Sequence, residues 1–190
     1  MPRLALLALL PALFACAPAR TPYARLPPDA MEGAGDPTRA AIFGSAAAFS
    51  AGLPAGRPGE AARAAAQVEY LATEIPVGPR WVAFSPIISM RLGDARSELR
   101  QALGIAPDAP PQAVVDALYA ASRALRSGDQ VAAARALPAP VFTDGGATLV
   151  RLAAPPPLPR TQMATALTQQ ELIRTDQDNM FGGFGGGRGS

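Results

Sequence analysis

The side chains able to do chemistry in this 190-residue chain are few: 15 carboxylates, 17 arginines, three tyrosines and one cysteine, with no histidine and no lysine. Without histidine, the usual general base at neutral pH and the commonest metal ligand are both missing. Serine–histidine and cysteine–histidine catalysis, histidine-ligated haem and ordinary zinc sites are excluded by inventory. Carboxylate chemistry, serine acting without histidine, or no chemistry at all survives; two acids in different environments can divide the roles of proton donor and acceptor. Asp94 and Glu98 lie four residues apart, on one side of a predicted helix. Arg91, Arg96 and Arg100 interleave with them, which favours a solvated charged face over a catalytic pair. On that view Glu98→Gln changes stability very little. A carboxylate-dependent enzyme would draw instead on Glu60, Glu69, Glu74 or Glu98 in a cleft between helices.

Two other patterns approach a ligand motif and miss it. The run Gly182 to Gly189 has the glycine spacing of a phosphate loop, but it has Arg188 in place of lysine and no preceding strand or following helix. Asp176-Gln177-Asp178-Asn179 begins like a calcium loop, yet Met180 and Phe181 stand where oxygen ligands are needed. No catalytic residue, metal site or cofactor is therefore expected. Basic residues are not clustered and aromatics are scattered, which argues against nucleic acid as a partner. Trp81 beside Arg80 has the composition of an interface hot spot, although a lone tryptophan is more often core. Phe181 and Phe184 give the glycine-rich end the makings of a short docking motif.

Cys16 is the one residue whose context is specific. Met1-Pro2-Arg3 is a short positive segment, and eleven mostly apolar residues follow from Leu4 to Phe14. These are the n-region and h-region of a secretory signal, too short to span a bilayer. Leu13-Phe14-Ala15-Cys16 resembles the lipobox that closes the signal of bacterial lipoproteins. The resemblance covers residues 1–16 alone. It implies that Cys16 becomes the first mature residue and carries the acyl chains, so that the partner is first a membrane held through a lipid anchor. Ala17, where aspartate would mark retention at the inner membrane, implies the periplasmic face of the outer membrane.

The elements that would carry these residues are helical. Of the chain's residues 42 are alanine, which favours helix while burying little surface, and only 34 Leu, Ile, Val or Phe remain beyond the leader for a core. Apolar periodicity predicts helices over 37–50, 59–74, 86–103, 111–127, 129–136 and 160–175, with Asp36-Pro37 and Ser85-Pro86 as cap-plus-proline starts. Asp144-Gly145 between two β-prone runs predicts a short hairpin near 140–152. The expected architecture is mainly α: a small bundle of about five or six helices spanning 37–178. A signal peptide over 1–15, a lipidated, disordered proline-rich tether over 16–36 and a disordered glycine-rich tail over 179–190 flank it. The expected function is a non-enzymatic envelope lipoprotein that binds or helps assemble another envelope protein. The alternative is a carboxylate-dependent enzyme on an envelope polymer such as peptidoglycan.

Overall fold

The computed structural model describes residues 23–30, 35–50, 53 and 55–182, the last two of these by backbone alone. Seven helices follow one another among them: α1 (Pro37–Ser50), α2 (Pro58–Glu74), α3 (Pro86–Leu103), α4 (Pro111–Arg126), α5 (Gln130–Arg135), α6 (Gly145–Ala153) and α7 (Pro159–Gly182), with one 3-10 turn at Pro79–Trp81. Five of the seven start on proline. Its fixed φ suits the first helical position and its missing N–H costs nothing there, so the residue that breaks helices elsewhere sets their starting points here.

α2 is the axis of the bundle, with α1, α3, α4 and α6 packed around it. Ala61, Ala62, Ala64, Ala65 and Ala66 are all buried, and their short side chains let the neighbouring backbones come close. Gly59 takes this furthest: the Ser122 hydroxyl donates to its carbonyl at 2.7 Å, and a Cβ at Gly59 would sit 3.2 Å from the Ser122 carbonyl oxygen. The larger side chains fill the rest of the core. Phe49, Phe142, Ile42, Leu71, Leu92, Leu103, Leu118 and Leu152 are fully enclosed.

α7 packs against α1 and runs antiparallel to α3, and the two helices of this pair cap each other. Glu98 on α3 accepts from the backbone N–H of Arg160 (3.2 Å) and of Thr161 (2.8 Å) and from the Thr161 hydroxyl (2.7 Å) at the start of α7. Glu171 on α7 accepts from the backbone N–H of Ser85, 2.7 Å away, at the start of α3. Each carboxylate thus satisfies donors that a helix start leaves without partners, at the positive end of the helix dipole. The Ser85 hydroxyl, expected as the α3 cap, makes no capping bond. At the other end of α3, Gly104 adopts φ 71°, and the Ile105 N–H closes back on the Arg100 carbonyl at 2.8 Å.

The expected hairpin near 140–152 does not form. Asp144 accepts from the Ala147 N–H at 3.0 Å and so acts as the N-cap of α6, with Gly145 as its first residue. An Asp-Gly pair that reads as a tight turn reads equally well as a helix start, and burial decides between them. Thr148 and Leu152, four apart, are buried against the bundle, and the Thr148 hydroxyl also donates to the Leu103 carbonyl at 2.7 Å. Phe142 does make one β-type contact, a single bridge to Ile105, and no strand forms among the described residues.

The proline-rich stretch ahead of α1 is also more than a tether where it is described. Ala24 is buried and its N–H donates to Thr73 Oγ1 at 3.3 Å. Gln112 on α4 bonds both the N–H (2.7 Å) and the carbonyl (3.0 Å) of Arg25, and Asp29 pairs with Arg123 at 3.0 Å. Residues 23–30 therefore form a strap across α2 and α4.

Candidate functional site

The four carboxylates proposed for chemistry do not converge. Glu60 stands in the first turn of α2, exposed and paired with Arg57 at 3.0 Å. Glu74 ends the same helix, about 21 Å away at 1.5 Å per residue. Glu69, 4% exposed, is held by Arg96 Nε at 2.8 Å and by Arg100, whose Nε and Nη2 reach its two oxygens at 3.1 and 2.6 Å. Arg100 goes on to donate to the carbonyls of Ala106, Pro107 and Ala109, which fastens the α3–α4 connection to α2. Glu98 is committed to the start of α7 through both oxygens. Of the charged face expected on α3, only Arg91 and Asp94, 3.8 Å apart, keep substantial exposure as a pair. α3 is flanked by α2 on one side and α7 on the other, so its off-stripe charges find partners instead of water.

Glu74 is the exception, because among the described residues no arginine pairs with it and its partners are neutral side chains. It is 7% exposed; Oε1 accepts from Trp81 Nε1 at 3.1 Å, whereas Oε2 makes no hydrogen bond of good geometry among the described residues. Trp81 is buried, as a core tryptophan would be; Phe84 meets it edge-on at 5.0 Å, and the Arg80 guanidinium lies 4.3 Å above its ring. Arg80 also pairs with Asp36, whose other oxygen caps α1 through the Thr38 N–H at 2.9 Å. The Thr38 hydroxyl is 2.6 Å from the Tyr70 hydroxyl. Burial, reinforced by the charge of Glu74, pushes Tyr70 up to about 12 against the hydrogen bond to Thr38. Tyr23, at the head of the strap, is raised first by burial and then by the Glu74 carboxylate it faces.

A cleft of about 430 Å³ opens beside this cluster, between Tyr23, Leu26, Pro27, Asp36, Tyr70 and Arg80. Asp36 is engaged with Arg80 and the α1 start, and Arg25 and Thr38 line the cleft together with the two tyrosines, the prolines and Leu26. Such a lining offers contact area, not a proton donor and acceptor set against each other. Asp94 borders a second cleft of about 380 Å³ with Arg91, Pro159, Arg160 and Met163. Glu98 lines neither cleft.

Asp176 and Asp178, singled out as the start of a loop, lie inside α7 and pair with Arg39 and Arg174. Each guanidinium is a hydrogen-bond donor to its carboxylate, and that of Arg39 holds Asp176 below the usual carboxylate range. Among the described residues no three of His, Cys, Asp or Glu gather as a metal site. Cys16, the leader and residues 183–190, with Phe184, lie outside the described residues, as does the side chain of Phe181. Sequence patterning missed Tyr23, the Glu74–Trp81 bond and the Glu69–Arg100 pair. The last two join residues 7 and 31 positions apart, the first across the end of α2 and the second between two helices, where helical periodicity does not carry. Tyr23 and Leu26 were the visible signal for the strap, two sizeable apolar side chains among prolines. No family model, no curated protein and no solved structure matches this chain.

Proposed function

We propose that the chain is a cell-envelope lipoprotein without catalytic activity, anchored through Cys16, whose helical domain binds another envelope protein or aids its assembly. The observation that carries this reading is the use made of the carboxylates. Glu69 and Glu98 bind helices to one another, Glu60 lies exposed beside an arginine, and Glu74 is bonded to the Trp81 indole. A glycan-cleaving pair would need two carboxyl groups facing one substrate across roughly 5–10 Å. The side chains left exposed include sizeable apolar ones, Ile87 and Met90 on α3, Val131 on α5 and Val150 on α6, which suit contact with a protein surface. Anchorage rests on the lipobox resemblance. No described helix is long and apolar enough to cross a membrane.

Two measurements test the proposal together. Cells fed a fatty-acid analogue incorporate label into the wild-type chain and not into Cys16→Ser; equal labelling removes the anchor. In-cell crosslinking from Val150 or Val131 then recovers one reproducible envelope protein, and recovery of abundant bystanders alone removes the adaptor.

A further inference from the structure

The strap determines which part of the domain lies nearest the lipid anchor. Between Cys16 and Tyr23 there are seven Cα-to-Cα steps, which span at most about 25 Å whatever path the chain takes. From Tyr23 onward the chain is fastened, by Ala24 to Thr73 and by Arg25 to Gln112. The end of the bundle that holds Tyr23 is therefore kept close to the bilayer, while the end of α6 lies at the opposite end of α2, its Ala153 carbonyl accepting from the Gly56 N–H just ahead of Pro58, about 22 Å along that helix from Thr73.

That near end has an unusual surface. Around Glu74 are gathered Tyr23, facing its carboxylate, Val77 and Gly78, whose N–H groups donate to its carbonyl, and Trp81, bonded to its side chain. Val82 follows Trp81 directly and is 85% exposed, the most exposed large apolar side chain among the described residues; Val77 and Tyr23 are each 44% exposed. Arg80 lies across the outer side of this group, over the Trp81 ring. Apolar tips, an amphipathic tyrosine and an arginine with a long apolar stem are the side chains that settle at the level of lipid headgroups. The charges of this end are mostly paired: Arg80 with Asp36, Arg39 with Asp176, and Arg174 with Glu171 and Asp178. Arg25, which lies beside Tyr23, adds one cation, so attraction to anionic lipid is secondary to apolar contact. A leash this short keeps the end at an effective concentration on the order of millimolar, so weak apolar contact suffices.

We infer that the surface formed by Tyr23, Val77, Arg80 and Val82 rests on the bilayer that carries the anchor, leaving α5 and α6 at the opposite end to meet a protein partner. The inference rests on the lipid-anchor reading of Cys16. Its test uses the full lipidated chain in vesicles of phosphatidylethanolamine and phosphatidylglycerol, with Val82→Cys, Val77→Cys or Val150→Cys labelled by an environment-sensitive fluorophore, the thiol of Cys16 being consumed by its thioether. All three positions are exposed, so the labels do not disturb packing. Intact mass first establishes the acyl chains; their absence overturns the anchor and this inference with it. With acyl chains present, emission from positions 82 and 77 shifts to the blue and is quenched by headgroup-nitroxide lipid, while that from position 150 does neither. If position 82 stays as water-exposed as position 150, the anchor stands and the membrane-facing surface is wrong. A blue shift at position 82 that appears only on adding envelope proteins assigns this surface to a protein and overturns the inference equally.

Discussion

Glu69 and Glu74 sit five residues apart on the same helix and are almost equally buried, yet they are treated oppositely. Glu69 faces α3 at mid-height, where Arg96 and Arg100 supply three donor atoms to its two oxygens. Glu74 lies at the C-terminal end of α2, where its partners are neutral, the Trp81 indole N–H and the Tyr23 hydroxyl. A buried charge is tolerated when it is paired and its lone pairs are satisfied, so the first is a fastening and the second a place where the fold has conceded stability. Glu69→Ala should therefore cost the most of any single carboxylate change, about 3 kcal/mol, because it leaves Arg100 buried without its counter-charge. Chemical denaturation measures it. A loss below that of an exposed pair such as Arg57–Glu60 would mean that the three carbonyls around Arg100 suffice alone, and the contrast between the two glutamates would collapse.

Glu98 falls between these extremes, partly exposed but bonded through both oxygens. The sequence view of α3 as a solvated face makes it dispensable; as the cap of a 24-residue helix it is not. Glu98→Ala should cost about 1–2 kcal/mol, the usual loss for a helix cap. Hydrogen exchange should accelerate first in the opening turn of α7, at Arg160 and Thr161. A change within a few tenths of a kcal/mol would return Glu98 to the class of surface charges.

The helices themselves were legible because proline starts, alanine content and apolar periodicity are local and agree with one another. Six expected helices appear close to their expected limits, the last extended through Asp176 and Asp178 to Gly182. What was illegible depends on packing. Thr148, Leu149, Val150 and Leu152 fit a strand as well as a helix until Leu103 and the bundle surface select period four over period two. The strap has too few apolar residues to look folded, and Ala24 becomes core only because Thr73 and Gln112 receive its neighbourhood. The same holds for the carboxylates: no spacing rule links Glu69 to Arg100 or Glu98 to Thr161, since those partners are set by which helices lie side by side.

The smallest expected effect belongs to Glu74, and it sharpens the contrast most. Glu74→Gln keeps an oxygen for Trp81 and removes a buried charge with an under-bonded oxygen, so its stability at neutral pH should stay within about 1 kcal/mol of wild type. The difference should appear in alkali. With no lysine in the chain, and with arginine ionised throughout, the tyrosines dominate titration between about pH 10 and 12. Tyr70 in the folded protein holds its proton to about pH 12, chiefly through burial and further through Glu74, whereas the unfolded chain releases it near 10. The folded state thus binds the proton more tightly, and stability present below pH 10 is lost as pH rises toward 12. Glu74→Gln removes the charge that adds to this shift, so Tyr70 should titrate earlier by ultraviolet absorbance and the alkaline loss of melting temperature should be shallower. If the two profiles coincide, burial alone sets Tyr70 and the charge of Glu74 does not reach it.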